Sequence, residues 1–182
     1  MLIALYGQSR AGKDETARIL QEQHGYEWRS FAANLREILL RIDPQIDWHN
    51  SKPFRYSEAI KHLGLDRTKE HYPESVELMI RLGQAVRDIL GENSWVDAVL
   101  PWVSDPSIHF PENLVISDCR QPNEYERIKH YGGQIWKIIR PGTVARGMDN
   151  LLDTYQFDLV IHNSGSLDDL AVIVRTAIKK CE

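Results

Sequence analysis

The sequence predicts an α/β fold: a five-stranded, mainly parallel sheet with helices on both faces. Three observations carry that prediction. Short apolar runs alternate with stretches of helical periodicity along the chain. Two of the runs, NLVIS and FDLVIH, are near-continuously apolar, as strands covered on both faces are. The chain also opens on an apolar run, LIALY, that passes through the glycine-punctuated GQSRAGKDET into helical spacing, a strand–turn–helix order typical of a doubly wound sheet.

Taken in order, the strands are expected at Leu2–Tyr6, Trp28–Ala32, Asn113–Ser117, Gln134–Arg140 and Phe157–His162. The first helix, Lys13–His24, stops at Gly25, a natural left-handed C-terminal residue. Asn34–Ile42 carries Leu35, Ile38, Leu39 and Ile42 on one stripe and halts before Pro44. A longer helix over Glu74–Leu90 is expected to bury Val76, Met79, Ile80, Gly83 and Val86 and to end at Gly91. Ser94 is expected to cap the next helix. Ser166, with Asp169 three residues on, caps the last. Between Asp43 and Pro73 the chain is polar and His- and aromatic-rich, with one short helix expected at Ser57–Leu63. That stretch reads as an insertion over the carboxyl edge of the sheet, within a single domain of 182 residues.

Composition narrows the function classes. With 42% apolar residues the chain can pack a core without staples. A net charge of −4 argues against sequence-blind nucleic-acid binding, although local arginines can still serve one anionic ligand. The two cysteines, Cys119 and Cys181, lack metal-ligand spacing and fit a reducing compartment. No stretch approaches the ~18 apolar residues of a membrane span. The reading is cytoplasmic, with no membrane partner.

In a parallel sheet, ligands bind beyond the carboxyl ends of the strands, so the segments that follow each strand hold the candidate residues. After the first strand, Gly7, Ser9, Arg10, Ala11, Gly12, Lys13, Asp14 and Glu15 have the spacing of a phosphate-cradling loop. The glycines let backbone N–H groups converge on an anion, the helix start adds its positive end, and Lys13 supplies a mobile charge. A bare strand–helix turn with a chance lysine is the plainer alternative. Asp14 stands where Ser or Thr usually meets magnesium. It is either a metal-directed carboxylate or an ordinary helix-start residue favoured by the dipole.

After the third strand come Asp118, Arg120 and Gln121. Asp118 could position magnesium or a reacting group, and Arg120 could grip a phosphate bidentately. A surface Asp–Arg pair would look the same. Cys119 between them reads as a passive buried thiol. Arg140 and Arg146 flank a Gly-bearing connection that could close as a lid over 141–156 and stabilise charge on a transferring phosphoryl group. Asn163, Ser164 and Gly165 form a small-residue turn that could lie against a purine or merely precede the cap at Ser166. Arg36 lies in the first turns of its helix. Arg81, Gln84 and Asp88 share a helix face with Arg87 close by. Gln84 could read a base edge, or the whole face could simply be solvated. Trp95 and Trp102 read chiefly as packing, Trp95 being the better ligand candidate.

Together the segments GQSRAGKD, FAANLREIL, RLGQAVRDILG…SWV, VISDCRQPNEYE, IIRPG and DLVIHNSGSLDDL resemble, in that order, the deoxynucleoside monophosphate kinases of bacteriophages. That family is a branch of the P-loop nucleoside-monophosphate kinases, and the matches run from residue 3 to about residue 171. The GKD form of the loop also occurs there. The resemblance implies a three-layer P-loop NTPase fold with a short lid and a helical acceptor-binding insertion. It implies ATP and Mg2+ as cofactors and a deoxynucleoside monophosphate as the substrate partner. Gly7–Asp14 would hold ATP, Arg36 and Arg120 the acceptor phosphate, and Gln84 would help read the base. Arg140 and Arg146 would act from the lid, and Asn163–Gly165 would touch adenine. Trp95, Arg81, Arg87 and Gln121 complete the expected acceptor side, and Asp14 the metal site. A homodimer is compatible with this reading, and for a phage protein the compartment would be the host cytoplasm. The chain departs from the family in lacking a proline before the FAANLRE helix and in having a short, arginine-poor lid. A kinase for another phosphorylated small molecule (dephospho-coenzyme A or phosphomevalonate) and a non-catalytic ATP-binding regulatory protein stay open.

Overall fold

The computed structural model describes residues 1–46, 54–101, 110–144 and 150–181. Within them the chain forms two compact units, one of Met1–Phe31 with Val99–Glu182 and one of Ala32–Ala98.

The first unit holds the sheet. Its strands are β1 (Leu2–Tyr6), β2 (Glu27–Arg29), β3 (Leu114–Ile116), β4 (Gln134–Ile139) and β5 (Leu159–His162). They lie in the order β2-β3-β1-β4-β5, and every pairing is parallel. The expectation of a mainly parallel sheet therefore becomes a wholly parallel one. Helices α1 (Lys13–His24) and α7 (Leu167–Cys181) cover one face. Their Ile19, Leu20, Leu170, Val174 and Ile178 pack with Ile3, Leu5, Val115, Trp136 and Ile161 in one buried cluster. Alternation along β1 sends Leu2 to the opposite face. There, beside Gly133, it comes near Ile128 of α6 (Pro122–His130). This is a three-layer α/β fold, a five-stranded parallel sheet between helices. At ~25 cal/mol per Å2, each such buried aliphatic side chain contributes about 1.5–3 kcal/mol.

Local signals explain the ends. Gly25 takes φ 71 and closes α1 by donating its N–H to Leu20 O. Ser166 and Asp169 exchange hydrogen bonds at the start of α7, Ser166 N–H to Asp169 Oδ2 at 2.8 Å and Asp169 N–H to Ser166 Oγ at 3.2 Å, as the capping pattern predicts. Helix α6 was not expected; Gln121 and Glu124 frame its start with a buried version of the same box.

The second unit is helical: α2 (Ala33–Ile42), α3 (Tyr56–His71), α4 (Pro73–Leu90) and α5 (Ser94–Asp97). Its core joins Leu35, Leu39, Ile46, Tyr56, Ala59 and Trp95. Three expectations are corrected here. The short helix expected at Ser57–Leu63 extends to His71, with a break at Gly64, where φ is 74. Ile80, expected inside, is exposed; at 100° per residue it sits roughly 140° round the helix from the stripe through Ser75, Leu82 and Val86. Ser94 is also not a cap. Asn93 holds that place, and the Ser94 hydroxyl donates instead to Gly91 O.

Candidate active site

The chain leaves β1 at Tyr6 and turns through residues 7–12 into α1. Gly7 is required by close approach: a Cβ there would lie 2.3 Å from Ile138 O of β4. Gly12 takes φ 106, and a Cβ on it would lie 2.4 Å from Asn163 Nδ2. Arg10 adopts a left-handed conformation at φ 65 and is exposed. Ala11 N–H donates to Gln8 O at 3.1 Å, which tightens the curl.

Lys13 is buried, its ammonium donating to Gly7 O at 2.7 Å and Gln8 O at 2.8 Å. Those carbonyls are neutral, so an anion in the loop would be the stronger partner for the same charge. Thr16 is buried and its hydroxyl donates to Gly12 O. Asp14 is exposed in the first turn of α1. Glu15 turns away to Arg18, whose hydrogen bond holds its carboxyl below the usual range.

Around the cradle, Asn163 supplies a clasp. Its buried amide donates to Ala11 O at 2.9 Å, while Ser164 and Gly165 are exposed. On the other side, Ser9 and Arg10 face Arg140 and the 141–144 turn across a cleft of about 350 Å3. Thr143 Oγ1 lies 2.9 Å from Gln8 Oε1 and donates to Arg140 O at 2.8 Å. The far root of this segment is tied down as well. Tyr6 Oη donates to Asp153, Lys137 donates to the same carboxylate at 2.8 Å, and Tyr6 stacks on Phe157. Arg146 and Trp102 lie outside the described residues.

The strand next to β1 delivers the second cluster. Cys119 N–H donates to Leu5 O at 3.2 Å, so the Asp118–Gln121 turn emerges beside the strand that leads into the cradle. Asp118 has both oxygens engaged, Oδ2 by Ser30 Oγ at 2.7 Å and Oδ1 by Phe31 N–H at 2.8 Å. The carboxylate thus fastens the exit of β2 to that of β3.

Glu124 sits behind the turn. It is buried, and Oε2 accepts the N–H groups of Arg120 at 2.6 Å and Gln121 at 2.9 Å. Burial, and then the nearby Asp118, push its carboxyl up to about 8, against the opposing pull of the two N–H donors and of Arg120. Cys119 is wholly buried, which raises its thiol well above the usual value; it is inert as a nucleophile.

The remaining candidates belong to the helical unit. Arg36 is half-buried in α2. On α4, Gln84 donates to Asp88 at 2.7 Å and accepts from Arg87 at 3.2 Å, while exposed Arg81 lies 3.8 Å from Glu77. Trp95 is buried, its indole N–H donating to Gly83 O at 3.1 Å.

The sequence pattern singles out neither Ser30 nor Glu124, and it includes Gln8 and Thr143 only as parts of the 7–14 loop and the 141–156 segment. The spacing Gln121-x-x-Glu124 ahead of a helical stretch was the available signal for Glu124. Among the described residues no group of three or more His, Cys, Asp or Glu could hold a metal, and no helix is long and apolar enough to cross a membrane.

No family model matches the chain. Its sequence is similar to a protein of Acanthamoeba polyphaga mimivirus named "Putative deoxynucleotide monophosphate kinase", 26% identical over 178 residues that cover 93% of this chain and 91% of the relative. Among solved structures it is similar to shikimate kinase from Aquifex aeolicus, with a TM-score of 0.47 and 13% identity over 99% of this chain and 97% of that one.

Proposed function

We propose that the protein is a P-loop phosphotransferase that moves the γ-phosphoryl group of ATP onto a deoxynucleoside 5′-monophosphate, giving the diphosphate and ADP. The observation that carries this reading is the hydrogen bond from Cys119 to Leu5. It sets the turn bearing Arg120 against the strand that ends in the lysine-bearing cradle. A site that only held ATP would need the cradle and no second phosphate grip.

The cradle suits a triphosphate. Positions 7 and 12 exclude any side chain, and the Lys13 ammonium rests on carbonyls that an anion could replace. Asp14 offers one exposed carboxylate beside it. That fits magnesium, which takes one or two carboxylates and leaves its other positions to water and phosphates. When bound, the ion would neutralise phosphate charge. Arg120 then holds the acceptor phosphate in line against repulsion from ATP, and Arg140 brings positive charge from the rim of the cleft. The mimivirus relative supports the choice of acceptor by its name, as does the resemblance of the sequence segments to phage kinases.

The test is a coupled assay of ADP release across the common deoxynucleoside and ribonucleoside monophosphates. At least one deoxynucleotide should stimulate release, and Lys13→Ala, assayed below its own thermal midpoint because it strands Gly7 O and Gln8 O, should abolish it. Arg120→Lys keeps the charge and loses the fork, so kcat/KM for the monophosphate should fall about tenfold, ~1.4 kcal/mol. ATP affinity without acceptor should barely move. If no monophosphate stimulates ADP release, the protein binds ATP for another purpose.

A further inference from the structure

Glu124 looks at first like a helix cap. A Glu at the third helical position commonly reaches back to the N-cap N–H, and Gln121 is the N-cap of α6. That role accounts for the bond to Gln121 and leaves the shorter bond, to Arg120 N–H at 2.6 Å, without a purpose. Arg120 precedes the N-cap, so its N–H is not among the orphan donors of the helix.

The location is also costly for a mere cap. The side chain is buried, and the Asp118 carboxylate works against its ionisation. A surface Ser or Asp would cap α6 without burying a carboxyl group beside another acid. What a buried acceptor does provide is rigidity. One oxygen holds two successive N–H groups, those of Arg120 and Gln121, so the backbone from which the Arg120 side chain departs cannot rotate without breaking a part-buried hydrogen bond.

We propose that Glu124 is a positioning residue for the acceptor phosphate: it fixes the turn at Arg120 and Gln121, and thereby the direction of the Arg120 guanidinium. The inference rests on the phosphotransferase reading. Asp118 completes the device from the other side by holding Ser30 and Phe31, which braces the neighbouring loop. Glu124 itself touches no substrate.

Two variants separate this role from capping. Glu124→Gln keeps a carbonyl oxygen that can accept both N–H groups, and Glu124→Ala removes it. Glu124→Ala should raise the acceptor KM or lower kcat/KM for the acceptor about tenfold, the ATP KM staying within about twofold, and Glu124→Gln should recover most of that loss. In parallel, amide hydrogen exchange at Arg120 and Gln121 should quicken in Glu124→Ala and stay protected in Glu124→Gln. A lower thermal midpoint for Glu124→Ala with unchanged acceptor kinetics would overturn the proposal and leave Glu124 a cap. Unchanged exchange at Arg120 in Glu124→Ala would overturn it too, and that result can be read even if the unmodified chain proves to turn over no monophosphate.

Discussion

Gly12 and Asn163 give the fold of the cradle a quantitative test. In Gly12→Ala the new methyl would lie 2.4 Å from Asn163 Nδ2, so the amide must move and release Ala11 O, which it holds at 2.9 Å. A non-glycine residue at the left-handed φ of 106 costs about 1–2 kcal/mol. Leaving a buried polar group unpaired costs about 1–3 kcal/mol more. The single variant should therefore lose roughly 2–5 kcal/mol, and Asn163→Ala, which strands the same carbonyl, about 1–3 kcal/mol. The lost hydrogen bond is common to both. The double variant should thus be less destabilised than the sum by about 1–3 kcal/mol, well outside the ~0.5 kcal/mol within which independent sites add. Urea unfolding of the four proteins at one pH measures the cycle. Additive losses would refute the clasp, and with it the assignment of Asn163 to the loop.

Two other outcomes follow from the same region. Asp14→Asn should shift the magnesium dependence of turnover far more than nucleotide affinity; an unchanged magnesium titration would make Asp14 only a helix-start residue. Glu124 binds its proton more tightly when folded, at about 8 against an ordinary 4.5. Its protonation therefore favours the folded state fully below about pH 4.5, and that contribution is lost as pH rises through about 8, by at most ~1.4 kcal/mol per pH unit. Relative to Glu124→Gln, the unmodified chain should lose thermal midpoint between about pH 5 and 8. A constant difference over that window would place the carboxyl group in a far more polar setting.

The parts of the fold that were legible in sequence are those with punctuation. β1 and α1 fall at the expected bounds, because a continuous apolar run meets Gly7 and a periodic stretch meets Gly25. Strand ends without a glycine slipped. β2 runs over Glu27–Arg29 rather than Trp28–Ala32, and past its end Ser30 Oγ and Phe31 N–H donate to the Asp118 carboxylate beyond β3. The first strand residues of the expected Phe157–His162 run were also misjudged. Phe157 stacks on Tyr6 instead, and pairing begins at Leu159. Both are cases where a side-chain partner from elsewhere in the chain overrides a local apolar pattern.

Helix α6 shows the harder limit. Its nine residues fall short of the window in which a 3.6-residue period stands out. Only Ile128 among its apolar residues is fully buried. Its other inward positions are Glu124 and Arg127, the latter bonded to Leu100 O. A charged stretch such as NEYERIKH reads as solvated when charge is taken as a sign of exposure. Here two of the charges point inward because the turn before the helix is tethered to Leu5 of the central strand. The residues proposed to meet a ligand stand out in sequence because chemistry restricts their type and spacing. Those that hold them in place are chosen by a geometry that exists only after β1 and β3 have paired, and Glu124 is such a residue.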